Sequence, residues 1–375
     1  TGKSYKEHKV YRLGDMALSS EKQIFETLED NGFKVGAVSP MNTRNNLKNP
    51  SYFIPDPWTK THTDGSYLSN FVHYSLSQAV NDNSQNKLTL KTILFFIISM
   101  LIAISLKDLL SLFKYALSCI KFKHRKALFL DSVIFKIHQY LFKKNNPDFS
   151  VLFLNGGAHI QHHYFFNSRE YINAKNKNPS WYLKENFDPV LDMLNCYDNF
   201  ILELLNMKDV EIIIATGLSQ KPYDRTKFYY RLKNHQKFLN MMKINFDAVF
   251  PRMTRDFLVT FKTIEEAKSA EDKFLSVKVN NTKGLFEYVD NRGKELFVTL
   301  TYPEELSKND IININTEEQI SVKDHLVFVA IKNGMHQGEG FAYFSEGIKK
   351  LAPANGDHVK EIYTTILKFF GISIL

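Results

Sequence analysis

The sequence predicts an α/β protein: a doubly wound, mostly parallel sheet flanked by helices, with a helical insertion and a smaller α+β cap. Three observations lead there. The apolar runs "FKVGAV" (33–38), "SVLFLN" (150–155), "VEIIIAT" (210–216) and "HLVFVAIKN" (325–333) are continuous rather than alternating, as in strands covered on both faces. Helical patterns sit beside them at 21–32, 188–206 and 358–372. Polar segments follow the strands, where sheets of this kind bind their ligands.

Taken in order, residues 1–75 make the first part of the α/β core and 76–148 a helical insertion. Residues 149–221 return to the core, 222–322 form the cap, and 323–375 complete the core. Inside the first insertion "TILFFIISMLIAISL" (92–106) is a run of 15 uncharged residues, shorter than the roughly 20 of a membrane span. It reads as a buried helix of the insertion, as a helix lying on a membrane or gripping lipid, or as a span. The basic tail Lys121, Lys123, His124, Arg125, Lys126 suits an anionic surface and equally a solvated helix end. Peripheral membrane contact through residues 89–126 is therefore one expected partner interaction. In the cap, "LFEYVDNRGKELFVTLTYP" is a hairpin pattern around Asp290-Asn291-Arg292-Gly293.

The 375 residues are 44% hydrophobic and 23% charged, an ordinary balance for a folded chain. A net charge of +8 favours anionic partners: phosphate esters, acidic glycans or a lipid surface. The lysines are dispersed and no nucleic-acid motif accompanies them, which argues against nucleic acid. Cys119 and Cys196 stand far apart, which excludes a disulfide framework and a cysteine zinc site; both are expected to be buried free thiols. The chain starts at Thr1-Gly2 without Met, so compartment and oligomeric state stay open.

Two stretches carry candidate chemistry. "FLNGGAHIQHH" (153–163) puts His159, His162 and His163 where a strand stops. They read as metal ligands at the mouth of the sheet or as a substrate-binding polar loop. On a helix His159 and His162 share a face. With His336 of "IKNGMHQGEGFAYFSEG" (331–347) they would supply three neutral nitrogens, a zinc-like set. There the strand is expected to end at Asn333, Gly334 to turn the backbone, and Gly338 and Gly340 to allow close packing.

These residues resemble the alkaline phosphatase superfamily, especially its type I phosphodiesterase/nucleotide pyrophosphatase branch. Gly334, His336 and Gly340 match that family's "G-x-H-x-x-x-G" turn, and "TTILKFFGI" is similar to its closing helix. "TGKSYKEHKVYR" (1–12) resembles the turn that follows the nucleophile, with Tyr5 for Pro and Lys9 for Gly. "GFKVGAVSPMNTRN" and "CYDNFILELLN" resemble the next strand and the helix before the second metal motif. The likeness spans the chain except for the two insertions. It implies a metal-dependent hydrolase or transferase acting on small-molecule, glycan or lipid-linked phosphate esters. A catalytically degenerate binding protein on the same fold and a sulfatase-like hydrolase are the alternatives.

Two departures shape the implied site. Asn155 stands where the family has the Asp of "D-x-x-x-H", with His159 matching the His. Ala215, Thr216, Gly217 and Leu218 replace "S-D-H-G", leaving neither carboxylate nor imidazole for a second metal. The resemblance thus implies one divalent ion, zinc, on His336 with His159 or His162 and an Asp upstream. The nucleophile is implied to lie upstream of Thr1. His162, Thr216 and Gln220 are the expected catalytic contributors; Thr216 and Gln220 alternatively cap the next helix. Asn155, Gln161 and His163 are expected substrate contacts. So are Trp58 in the aromatic, carboxylate-bearing loop 52–66, and Arg252 and Arg255 as an anion clamp or a pair of surface arginines.

Overall fold

The structure is a computed structural model describing residues 21–81, 88–171, 176–252, 255–314 and 319–373. The family-like turn at 1–12 lies outside the described residues. The chain divides into two compact units. One comprises Thr1–Gln161, Asp188–Lys221 and His336–Leu375; the other comprises His162–Phe187 and Pro222–Met335.

In the first unit the strand Val35–Val38 lies between Tyr52–Ile54 and Phe149–Leu152, parallel to both. Side chains alternate across the sheet. Val35, Ala37 and Phe53 join Phe25 and Leu28 in one cluster, with Ile366 and Phe370 from the C-terminal segment packed on it. Val38, Tyr52 and Ile54 join Val133, Ile134 and Ile137 in the other. Helices therefore cover both faces, as the continuous apolar runs require. Phe370 packs on this face with its ring 4.6 Å from Phe33 and 6.1 Å from Phe149.

Gly36 leaves room for a ring. A Cβ there would stand 2.4 Å from Tyr52 Cζ. The Tyr52 hydroxyl lies 2.6 Å from Ser150 Oγ, which is 2.8 Å from His138 Nε2. Tyr52 and His138 of this polar chain are buried and Ser150 is half-buried. Burial drives the phenol far above its ordinary range and pushes the His138 imidazole down to about 4.

The stretch expected to be helical is helical: Tyr67–Asn81, Leu90–Ala103, Leu106–Lys121 and Arg125–Asn145. Thr89 and Ser105 cap two of these helices by accepting from Thr92 N and Asp108 N. The helix Arg125–Asn145 is the spine of the unit. It buries Leu128, Phe135, Ile137 and Leu141, stacks Phe135 on Phe200 at 4.4 Å, and ties its start to Asp192 through Arg125 at 2.8 Å. It stops at Asn146, which takes φ 44° ahead of Pro147. Asp188 and Pro189 start the helix Pro189–Leu205 as the sequence predicts. Cys119 and Cys196 are free thiols.

The expected α/β character is present, but a doubly wound sheet is not shown. Among the described residues the parallel sheet has three strands, and two of the four apolar runs go elsewhere. Ile213–Ala215 pairs antiparallel with Ala342–Phe344, and Leu326–Gln337 pairs with Ser219–Leu232. Ile213 and Ile214 are only half-buried and Ala215 is exposed. An apolar run signals a strand but not how many layers cover it, and so it does not signal which sheet it enters.

The second unit is antiparallel. One sheet runs Tyr288–Asn291, Glu295–Thr299, Asp256–Thr260, Ala248–Pro251 in that order; the other runs Gln319–Ser321, Ile311–Asn313, Lys278–Val279, Lys283–Gly284. The helix Ile264–Ser276 opens with a capping box of Thr263 and Glu266. Phe238, Phe257, Phe274 and Phe286 anchor the core. The predicted hairpin is present, with Gly293 at φ 84° and its N–H donating to Asn291 Oδ1 at 3.0 Å.

Gly36→Ala should press a methyl into the Tyr52 ring and cost about 1–3 kcal/mol, as overpacking does. Urea denaturation of wild type and variant measures this, and an unchanged midpoint would show that the ring moves aside freely.

Candidate functional site

The first unit answers why two glycines follow the strand Phe149–Leu152. The chain enters the helix Gly156–Tyr164, whose first intrahelical bond runs from His159 N to Asn155 O at 3.0 Å. The N–H groups of its first turn have no carbonyl behind them, and two distant helices satisfy them. Asp131 Oδ2 accepts from Gly156 N at 2.8 Å; the Tyr197 hydroxyl accepts from Gly157 N at 2.7 Å and donates to Asp131 Oδ2 at 2.6 Å. A Cβ on Gly156 would meet Asp131 Oδ2 at 2.5 Å, and one on Gly157 would meet Tyr197 Cε2 at 2.9 Å. Only glycine admits this approach.

Asp131 is buried, and burial raises its carboxyl to about 6 against the hydrogen bonds from Tyr197, Gly156 and Asn155 that hold it down. Burial, then the Asp131 charge, drives the Tyr197 phenol far above its usual range. The anion-attracting end of this helix thus holds the protein's own carboxylate. The sequence reading passed over both residues. The available signal was a lone acid in the apolar run "ALFLDSVIF", since a carboxylate on a buried helix face needs a local reason to be there.

Neighbouring parts of the same unit gather around this helix. Gln220 Nε2 donates to Ala158 O at 3.1 Å, while its Oε1 is buried with no partner among the described residues. Thr216 is committed to backbone: its hydroxyl accepts from Phe341 N at 2.9 Å, and its N–H donates to Phe341 O at 2.9 Å. A Cβ on Gly340 would stand 2.6 Å from Gly217 C, so the expected close packing at Gly340 is backbone against backbone, whereas a Cβ on Gly338 would meet nothing within 4 Å and the close packing expected there is absent. Asn155, His159 and His336 are exposed and Gln161 is half-buried. Trp58 lies in a loop organised by buried Asp56, which accepts from Asn42 N, Trp58 N and Thr59 N.

The expected strand end at Asn333 is corrected. The strand runs to Gln337 and Gly334 lies buried inside it. In the second unit Gly334 O and Ile331 O pair with His162 Nδ1 and His163 Nδ1 at 2.9 and 2.8 Å. Each histidine is therefore anchored to this strand through one nitrogen. Beside them Asn333 accepts from Phe166 N at 3.1 Å and exchanges amide bonds with Asn178 at 2.7 and 2.9 Å.

The second unit also gathers cations. Arg255 lies 3.9 Å from the centre of the Tyr229 ring and donates to Leu300 O at 3.2 Å. Lys332 Nζ is 5.8 Å from the same ring. Burial first, and Arg255 second, pull Lys332 down to about 8. Lys227 is lowered by burial and by Arg225 and Arg255, with Asp224 opposing. Neither Arg255 nor Lys332 has a salt bridge among the described residues. Arg252 is exposed, and its N–H donates to Asp256 O at 2.8 Å. Sequence reading found Arg255 but not Lys332, which sits unmarked in an apolar strand.

A zinc ion would need three or four donors converging on one point. Among the described residues no three or more His, Cys, Asp or Glu side chains form a group that could hold a metal. No protein-family model, curated protein or solved structure matches this chain.

Asp131 and His138 give opposed pH signatures. Asp131 rises from 3.8 to about 6 on folding, so its contribution is present at low pH and lost as pH rises through about 6. His138 falls from 6.5 to about 4, so its contribution is present above 6.5 and lost as pH falls towards 4. Asp131→Asn removes the first and keeps the second. The deficit of the variant against wild type should shrink by up to about 3 kcal/mol between pH 4 and 7, read by urea denaturation across that range; a pH-independent deficit would contradict the assignment.

Proposed function

We propose that this chain binds phosphate esters and catalyses their hydrolysis or transfer. The observation that carries the reading is the Arg255–Lys332 pair: two cations beside one tyrosine ring, with Lys332 held down to about 8 by burial and by Arg255. Cations gathered without a bonded carboxylate are stabilised by an incoming anion, and perturbed groups of this kind mark functional sites. The net charge of +8 favours the same ligands. The reaction class comes from the resemblance to type I phosphodiesterases, and the glycan or lipid-linked substrates belong to the same proposal. Arg255 and Lys332 would hold the phosphoryl oxygens.

A second reading, a binding protein on the same fold without catalysis, is favoured by Ala215, Thr216, Gly217 and Leu218 standing where the resembled family carries its Asp-His motif. Titration with inorganic phosphate and p-nitrophenyl phosphate, followed by turnover of p-nitrophenyl and bis-p-nitrophenyl phosphate, separates the two. Binding with turnover supports the enzyme; binding without turnover, with or without added zinc, supports the second reading. Absence of binding removes both.

Lys332→Gln should weaken phosphate binding by about tenfold, equivalent to about 1.4 kcal/mol. Wild-type affinity should fall as pH rises above about 8, where Lys332 loses its proton, and the variant should lack that dependence. Calorimetric titration across this pH range checks both outcomes.

A further inference from the structure

The helices Leu90–Ala103 and Leu106–Lys121 of the first unit wear their apolar side chains outward. In the first of them Thr92 and Ser99 are buried at 3% and 0% exposure, while Leu90 and Leu101 stand 86% and 64% exposed. The buried hydroxyls are satisfied inside the unit: Ser99 Oγ donates to Phe95 O at 2.8 Å, and Thr92 Oγ1 lies 2.9 Å from Thr89 Oγ1. A water-facing helix does the reverse, hiding Leu and Ile and exposing Ser and Thr. The second helix is amphipathic in the ordinary sense, yet it exposes Leu106, Leu110, Phe113, Leu117 and Ile120. That spacing marks a continuous stripe. Leu112 and Cys119 form its buried side. Both helices contact Arg125–Asn145, so their inward faces are already engaged and the outward ones are surplus.

Charge identifies the occupant. Lys107, Lys114 and Lys121 recur at seven-residue spacing beside the stripe, and Lys91, Lys123 and Lys126 are exposed along the same stretch. Between residues 88 and 126 the only acid is Asp108. It bonds Ser105 Oγ at 2.7 Å and lies 3.5 Å from Lys136 Nζ, so it does not offset the exposed lysines. Apolar stripes edged by lysine fit an anionic bilayer surface, with the side chains in the acyl boundary and the ammonium groups among the phosphates. Among the described residues no helix is long and apolar enough to cross a membrane. We infer that the helical pair Leu90–Lys121 is a docking surface for anionic lipid, lying in the membrane interface. This stands apart from the phosphate-ester reading, which rests on the second unit.

The test is flotation of the full chain with vesicles of phosphatidylcholine alone or mixed with phosphatidylglycerol, at low and high salt. Wild type should rise with the anionic vesicles at low salt. It should bind at least about tenfold less to phosphatidylcholine alone or at high salt. Leu110→Glu with Phe113→Glu should abolish binding, and Lys114→Glu with Lys121→Glu should weaken it; all four positions are exposed, and circular dichroism reports whether each variant keeps the wild-type fold. The inference is overturned if wild type stays with the dense fraction, or if folded variants float as well as wild type. It is also overturned if sedimentation velocity shows a dimer that the Leu110 and Phe113 changes dissolve, since a second copy would then own the face.

Discussion

A carboxylate without a cation organises the first unit. Asp131 is held by Tyr197 and by the opening N–H groups of the helix Gly156–Tyr164, so one side chain joins three helices. Its stabilisation comes from oriented donors and a helix end rather than from an opposite charge. Removing one partner would leave a buried polar group unsatisfied, which costs more than the bond itself contributes. The constraint runs outward. It forces glycine at 156 and 157, sets where the helix bearing His159 begins, and places Ala158 O where Gln220 reaches it.

The second unit settles its polar groups differently. Asn333 and Asn178 satisfy each other inside the protein, and His162 and His163 spend one nitrogen each on backbone carbonyls. These contacts fix ring orientation, as a carbonyl behind an imidazole does in any rigid site. Arg255 and Lys332 are different in kind, because an aromatic ring accommodates them and neither forms a salt bridge with a carboxylate among the described residues.

Exposure on the helical pair points outward in another sense. Most of its apolar surface could have been buried by exchanging a few residues between faces, and the chain instead puts threonine and serine inside. A folded core tolerates this when each hydroxyl has a partner. The cost of leaving leucine in water is offset only where something apolar takes the place of water.

Much of the local structure was legible in the residues. The helices near 21–32, 188–206 and 358–372, the hairpin at Gly293 and the apolar runs all follow from backbone chemistry and periodicity that act over a few residues. The sequence by itself also determined that a sheet at 33–38 and 150–155 would be covered on both faces, and that cations and histidines would lie along the chain. Only the tertiary structure decided which strands share a sheet, and that Ile213–Ala215 and Leu326–Gln337 leave the parallel one. It alone paired Asp131 with glycines 25 residues away and Lys332 with Arg255. The physical reason is range: propensity and capping are set by neighbours in the chain, whereas burial, and with it the charge a side chain can keep, is set by whatever the fold brings alongside.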